Sequence, residues 1–527
     1  MNQERVFYVN QSLTVRLNDP RYGGPQFVGK LFTEGLGRLP SPEEYKSYIS
    51  VIEQKGCSVS VLGELAFRLF SQMDFAAYGL TAAESALAVY RAVLNRDPIA
   101  SEVQQFKERL LKETAAAIAE SFTAGKEFAA LLPDIIKGPY YWGNNNSSLS
   151  PAETILKASD VQALLDGPEL VIELPRGALV LVDQTIEVPA GKTLRTKDQP
   201  AHYIQKARLL RVANIPTPLV RVQKSGTLSH VWLDGNRSAY YTDPNGLLRG
   251  VNVETAGDGV HLTDNRINDA TASTHLVGAD YHKGAYIARN LLTCYATSHY
   301  PDVKGAWADG ITHASTDSII EDNEVADATD VGIIVFRYVS EDNAYPQTTI
   351  VRRNTVVNLG NSAYAGYDID AWFGKGLVMN FVGNSFEDNA VWTSMKAHQH
   401  IVLSFAPLAW TGQEGATATG GRMINNYTPE GLYALAAAGI AVDGVDQYTI
   451  RGNQLNLFIG PWANESSGFS PRIISMNSAN GLGELQGSYE DLPMHDAKGL
   501  FISSALGEPF ASDELRHCTV ADETYKE

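Results

Sequence analysis

Between Leu233 and Asn453 one four-residue phrase, a hydrophobic residue followed by two variable positions and Asn, recurs eight times. Its copies run Leu233 to Asn236, Leu262 to Asn265, Ile287 to Asn290, Ile320 to Asn323, Val351 to Asn354, Phe381 to Asn384, Met423 to Asn426 and Ile450 to Asn453. Successive Asn residues therefore lie 29, 25, 33, 31, 30, 42 and 27 positions apart. That spacing is too regular for chance and too uneven for a helical solenoid. A repeat of this length marks a unit that cannot bury its apolar face alone and stacks on its neighbours. The residues ahead of each Asn are β-formers in short runs, as in Ser318-Ile-Ile, Thr349-Ile-Val and Tyr448-Thr-Ile. An Asn closing such a strand tolerates left-handed backbone, and its amide can bond the turn of the next coil. Stacked, these residues form an internal ladder.

Three copies extend further, as Asn265-Arg-Ile-Asn-Asp-Ala-Thr, Asn290-Leu-Leu-Thr-Cys-Tyr-Ala-Thr and Asn323-Glu-Val-Ala-Asp-Ala-Thr. On these residues the chain resembles the right-handed parallel β-helix of the pectate-lyase-like superfamily. Ser159-Asp-Val-Gln-Ala-Leu-Leu-Asp-Gly reads as a short amphipathic helix with Ser or Asp as N-cap. It is followed by Leu170-Val-Ile-Glu-Leu-Pro-Arg-Gly and Thr185-Ile-Glu-Val-Pro-Ala-Gly. This order is similar to that family's entry cap and first coil, where the cap shields an open sheet edge and an apolar core. The resemblance runs from about Ser159 to Asn453. The signature motifs of pectate lyases, polygalacturonases and mannuronan epimerases are not found, so it implies a fold and leaves the reaction open.

Ahead of the repeats, Gln26 to Leu131 reads as helical, with apolar residues at three- and four-residue spacing in Val61-Leu-Gly-Glu-Leu-Ala-Phe-Arg-Leu-Phe. A duplication is visible, with Phe32-Thr-Glu-Gly-Leu-Gly-Arg-Leu-Pro-Ser-Pro-Glu-Glu matching Tyr90-Arg-Ala-Val-Leu-Asn-Arg-Asp-Pro-Ile-Ala-Ser-Glu 58 residues later. In each half a helix ends at Gly37 or Asn95 and a Pro, 40 or 98, opens the next connection. The stretch resembles a helical domain of unknown function appended to secreted or surface-associated bacterial proteins. That implies a module that binds a protein partner or mediates assembly. The expected organisation is a helical domain over 1–135, a linker over 136–158, a parallel β-helix over 159–455, and last coils with a C-terminal cap over 456–527.

Charge narrows the function classes. A formal charge of −18 argues against nucleic acid, whose phosphates need a basic footprint, and predicts repulsion from a polyanionic glycan unless a local basic patch or bound cation intervenes. Cys57, Cys294 and Cys518 are odd in number and far apart, which reads as buried apolar thiols and neither disulfides nor a zinc site. No stretch of 18 apolar residues and no cleavable leader is seen, so neither a membrane span nor a Sec signal is expected. The resemblance implies an extracellular or cell-surface location.

Within each coil a second strand precedes the Asn strand, and four of these align on Leu276, Ile311, Ile333 and Ile369 as inward residues. Strict alternation then places His275 and Val277, Gly310 and Thr312, Gly332 and Ile334, and Asp368 and Asp370 outward. An outward Asp-x-Asp is poor strand chemistry. Two such carboxylates raise one another's pKa, which suits an acid and a base, or hold a hard cation such as Ca²⁺. Asp309 and Asp330 sit at turns within two or three coils of Asp368, whereas Asp258 reads as turn chemistry. Asp368, Asp370, Asp309, Asp330 and Arg337 are the candidate catalytic residues. Lys375, Trp372, His275, His282, Lys283, Tyr367 and Trp307 are candidates for substrate contact, since aromatic rings stack on pyranoses and cations orient acidic sugars. His313 points inward as a core histidine, and His398 and His400 lack a third partner for a metal.

Together these features point to a carbohydrate-active enzyme cleaving an extracellular or capsular polysaccharide in a groove along the coils. Hydrolase, lyase and uronan C5-epimerase chemistry all stay open. The rival is a non-catalytic, tailspike-like glycan adhesin, for which no convergent acid pair is expected.

Overall fold

The computed structural model describes residues 23–137, 152–240, 250–271, 274–278, 282–293, 308–336, 348–360, 363–370, 378–380, 383–394, 396–397, 399–405, 417–419, 421–443, 445–446, 448–459, 472–477, 487–490 and 519–520. From Ile155 onward the chain is a parallel β-helix. Among the described residues three long sheets of nine, twelve and eleven strands run its length, and each coil contributes one strand to each. One coil passes through Asp309–His313 in the twelve-stranded sheet, Ile319–Glu321 in the eleven-stranded sheet and Glu324–Ala326 in the nine-stranded sheet. The next coil begins at Val331–Phe336, in parallel register on the first. The hydrophobic position of the Asn phrase supplies one continuous core row. Leu228, Leu262, Ile287, Ile320, Val351, Phe386 and Met423 are all fully buried and paired coil to coil.

The ladder exists, with two members reassigned. Asn265, Asn290, Asn323, Asn354, Asn389, Asn426 and Asn453 form an unbroken stack in which each side-chain nitrogen donates to the next Asn oxygen at 2.9–3.0 Å. Each also donates to a carbonyl of the preceding coil, as Asn323 does to Ile287 O at 3.0 Å. Asn389 takes the place expected of Asn384 because Phe386-Glu-Asp-Asn repeats the phrase in the correct register, whereas Asn384 instead accepts from Thr349 N. Asn236 also stands outside, since the first coil of the stack ends at Val231, whose N–H donates to Asn265. The left-handed residue is the one before each ladder Asn: Asp264, Arg289, Asp322, Arg353, Asp388 and Asn425 all have φ between 54° and 58°. That kink turns the chain so that the following side chain points inside.

Removing one rung orphans buried groups on two coils. Asn323→Ala is expected to cost roughly 3 kcal/mol, since unpaired buried polar groups cost about 1–3 kcal/mol each. Asn384→Ala should cost less, and urea unfolding of the two variants side by side checks the ranking.

The helix Ala158–Asp166 caps the open end, with Ala158, Val161 and Leu165 buried in the β-helix core. It starts one residue earlier than Ser159, because Lys157 N–H donates to Asp160 at 2.8 Å and takes the capping position.

The helices from Pro25–Gly35 to Lys126–Lys137 carry the duplication into three dimensions. Gly37 and Asn95, 58 residues apart, both adopt positive φ, at 71° and 57°. Arg38 then grips Glu44, and Arg96 grips Glu102 in the equivalent place, each through two nitrogens. The helical region lies along its own β-helix, sharing one apolar cluster with Trp232, Leu291, Ala326, Val357, Ala390 and Trp392 on the outside of the nine-stranded sheet. Buried charges stitch this seam. Glu34 accepts from Arg91 at 2.7 Å, from Arg266 at 2.6 Å and from Tyr203 at 2.6 Å. Asp97 bridges Arg91 and Arg208 at 2.9 and 2.7 Å. Both of those guanidinium groups lie over Trp232, 4.9 and 4.1 Å from its ring centre. Gly360 leaves the room that Gln26 needs to reach Asp327, because a Cβ there would meet the Gln26 amide at 2.1 Å.

Candidate functional site

The outer face of the twelve-stranded sheet carries the acidic residues, but with the strand of Asp368 paired two residues out from the expected register. Ile333 pairs with Tyr367, Ile334 with Asp368, Val335 with Ile369 and Phe336 with Asp370. Tyr367 is thus an inward residue. It is fully buried, and its hydroxyl donates to Asn354 O and Ala390 O at 3.0 and 2.9 Å, so it serves the core and not a substrate. Alternation holds from Tyr367 to Ile369, both core residues, and the departure from it lies just before, at a bulge that recurs from coil to coil. Gly310 and Ile311 both face inward, as a Cβ on Gly310 would meet the Val325 side chain at 2.6 Å while Ile311 is a core residue. Gly332 repeats this against Val356 and Gly366 against Val391. Gly310 and Gly332 are therefore not outward positions. The irregularity brings Asp309 and Thr312, three residues apart, onto the same side, with Thr312 Oγ1 2.7 Å from Asp309 Oδ2.

Asp309 opens its strand. Its other oxygen accepts the Val331 N–H of the next coil at 2.9 Å. The residue is partly exposed, whereas Asp368, two coils on, is fully buried. Burial pushes the Asp309 carboxyl up to about 7. Burial likewise drives Asp368 well above the usual carboxylate range, and the charge of Asp309 adds to this while the neighbouring Ser404 hydroxyl opposes it. Thr312, Ile334, Asp368 and Ser404 occupy one register position on four successive coils, ~4.8 Å apart per step. Val331, Ile334, Ala365 and Ile401 form an apolar cluster around them on the outside of the sheet. Apolar surroundings disfavour the ionised form of both acids.

His275 is also buried here. Its Nδ1 lies 3.0 Å from Asp309 O, and burial lowers its pKa to about 4, so the ring is neutral. Asp330 is partly exposed at the turn before Val331, and its backbone carbonyl accepts from Tyr364 and Ala365 N–H. His282 and Lys283 lie elsewhere, on the corner leading to the eleven-stranded sheet. Lys283 N–H donates there to Asp258, and His282 Nδ1 is 4.0 Å from the same carboxylate. Asp258 is the turn former expected. His313 is an inward core histidine, fully buried with a pKa lowered to about 4, and Gly278 opposite it makes room for the ring. Arg337, Trp307, Trp372, Lys375 and His398 lie outside the described residues, as do the side chains of Asp370 and His400. The structure thus brings together Asp309, Asp368, Asp330 and His275, and adds Thr274, Thr312 and Ser404, which sequence reasoning passed over. Their signal is faint, because a hydroxyl in a β-strand is ordinary chemistry. Among the described residues no three His, Cys, Asp or Glu side chains converge as a metal ion needs, and no helix is long and apolar enough to cross a membrane.

Neither a protein-family model nor a curated protein matches the chain. Among solved structures it is similar to the Dettilon tailspike protein at 14% identity and a TM-score of 0.34, over 67% of this chain and 60% of that one. It is similar to endopolygalacturonase I from Stereum purpureum at 12% identity and a TM-score of 0.37, over 69% of this chain and 96% of the enzyme. An alginate lyase from Paenibacillus sp. aligns at 11% identity and a TM-score of 0.30, over 58% and 98%. At these levels the architecture rests on the sheets themselves and the chemistry on the site.

Proposed function

We propose that the chain is a glycoside hydrolase that cleaves an extracellular or capsular polysaccharide on the outer face of the twelve-stranded sheet. The observation that carries this reading is the pair Asp309 and Asp368, two carboxyls on one outer face whose ionisation is opposed by burial. A carboxyl held in its protonated range is what protonation of a glycosidic oxygen requires. Asp309, the partly exposed member, is the proton donor. Asp368, fully buried, keeps its own proton, and a negative charge on Asp309 holds it there.

In the reaction Asp309 gives its proton to the leaving glycosidic oxygen as the bond from that oxygen to the anomeric carbon breaks. A second carboxylate, for which Asp330 is the candidate, takes a proton from the attacking water, whose oxygen bonds the anomeric carbon. That carboxylate then releases its proton to solvent, and Asp309 regains one. The hydrolase reading is taken over a lyase because raised carboxyls suit protonation of a leaving oxygen, whereas abstraction of a sugar C5 proton needs an ionised base.

Incubation with a panel of neutral and acidic glycans tests this. New reducing ends without the ultraviolet absorbance of an unsaturated uronate are expected. Unsaturated products would make the protein a lyase, and binding with no cleavage would make it an adhesin.

A further inference from the structure

The hydroxyls behind Asp309 form a chain with one proton too few for every contact to be a donation to the carboxylate. Thr312 Oγ1 lies 2.7 Å from Asp309 Oδ2 and 2.9 Å from Thr274 Oγ1, and Thr274 Oγ1 lies 3.2 Å from Leu276 O. Both threonines are buried. A carbonyl only accepts, so Thr274 donates to Leu276 O. Thr274 then accepts from Thr312, whose single proton is used, and Thr312 has only a lone pair to offer Asp309. The bond is closed when Asp309 is the donor. Its other oxygen, facing the Val331 N–H, is then the carbonyl oxygen of a neutral carboxylic acid.

We propose that Thr274 and Thr312 are positioning residues that hold the proton on Asp309 and reverse their hydrogen bonds when it leaves. With the acid protonated, the chain runs from Asp309 through Thr312 and Thr274 to Leu276 O. Once the proton has gone to the substrate, rotation of two hydroxyls sends the Thr274 proton to Thr312 and the Thr312 proton to Asp309. The new carboxylate then receives two donors, Thr312 O–H and Val331 N–H, and no proton travels along the chain. Among the described residues, the ionisable groups near Asp309 are His275 from the strand Thr274–Gly278, Asp368 from Ala363–Asp370, and Asp330, whose backbone N–H donates to Ala308 O. The His275 ring is neutral, with Nδ1 donating to Asp309 O, and a negative charge on Asp309 raises Asp368 in turn. The proton count rests on the hydrogen bonds alone, while the use of that proton in cleavage rests on the hydrolase reading.

Thr274→Val tests the device. It removes the acceptor that binds the Thr312 proton, so Thr312 is released to donate permanently to Asp309 and the carboxylate is favoured. The midpoint of the Asp309 carboxyl stretching band, isolated by infrared difference against Asp309→Asn and titrated in the full chain, is expected to fall by about one pH unit, as for one gained hydrogen bond. Thr274→Ser should restore the parent midpoint, and Thr274→Ala reproduces the loss if the valine variant folds poorly. An unchanged midpoint in the valine and alanine variants would overturn the proposal. If the midpoint falls as expected while no glycan is cleaved by the parent protein, the proton chain stands and the hydrolase reading fails. If both hold, the alkaline limb of the rate profile moves down with the infrared midpoint.

Discussion

Glu34→Ala is expected to destabilise the protein by about 3–5 kcal/mol, the usual effect of breaking a buried ion pair by removing one partner. Glu34 is 1% exposed and holds Arg91, Arg266 and Tyr203 at once, so its loss strands the Arg266 guanidinium and leaves Arg91 to Asp97. Arg266 is the more vulnerable. Its Nε and Nη1 already find no hydrogen-bond partner, so Glu34 is the acceptor on which its buried charge relies. The sign with pH follows from the same contacts. Burial pushes the Glu34 carboxyl up, but Arg91, Arg266 and Lys30 outweigh it and hold the group far below its ordinary 4.5. A depressed carboxyl contributes stability that is present above its unfolded value and is lost only as pH falls towards the folded one. The parent seam should therefore survive mild acid, while the variant is weak at every pH. Urea unfolding measures the loss, and limited proteolysis should show cleavage among the helices before cleavage within the coils. A change below about 1 kcal/mol would mean that the seam is held by the apolar contacts of Trp232 and Trp392 alone. Glu34→Ala combined with Arg266→Met should recover part of the loss, because the stranded charge goes with its partner.

This seam also shows where sequence reading stops. The duplication, the helix ends at Gly37 and Asn95 and the coil repeat are local patterns, and all three are present in the structure. The ion pair between Glu34 and Arg266 joins residues 232 positions apart, and in sequence each looks like a solvated surface charge. The packing of the helices on Trp232 and Trp392 is likewise a contact that no local pattern announces. The ladder was legible as a spacing. Phe381-Val-Gly-Asn and Phe386-Glu-Asp-Asn both fit the phrase five residues apart, and only the stacking selects Asn389. The site failed at the same level. Asp309 and Asp368 were legible as unusual charges on strands, but the bulge at Gly310, Gly332 and Gly366 breaks the period of two on which their neighbours were assigned. Thr312 came to face Asp309 for that reason, whereas Tyr367 is inward by the same alternation as Ile369, on a strand paired two residues out from the expected match of Ile369 with Ile333.

Asp309→Asn is expected to lower glycan cleavage by about 10²–10⁴-fold, the usual contribution of a general acid, while leaving the fold intact. The amide suits the proton arrangement around it. An Asn oxygen can accept from Val331 N–H, and an Asn nitrogen can donate to Thr312 in the direction a protonated acid would. Stability should move opposite to activity, and its sign can be worked out. The Asp309 carboxyl is raised from 3.8 to about 7 in the folded chain, so its contribution is complete below pH 4 and is lost as pH rises through 7. Above that point the parent either carries a buried charge or unfolds more readily, and the asparagine variant does neither. At pH 8 the variant should therefore melt higher than the parent, whereas at pH 4 the two should nearly coincide. Thermal unfolding at both values, beside initial rates on a cleavable glycan, separates the roles. A purely structural carboxyl would show the pH-dependent stability difference with full activity. A proton donor shows the same difference together with a rate that no pH restores. Asp368→Asn provides the internal contrast. Its carboxyl is fully buried, so it should share the gain in stability at pH 8 and lose less activity than Asp309→Asn. If instead Asp368→Asn proves the more damaging of the two, the roles of the pair are reversed and the buried acid is the one that reaches the substrate.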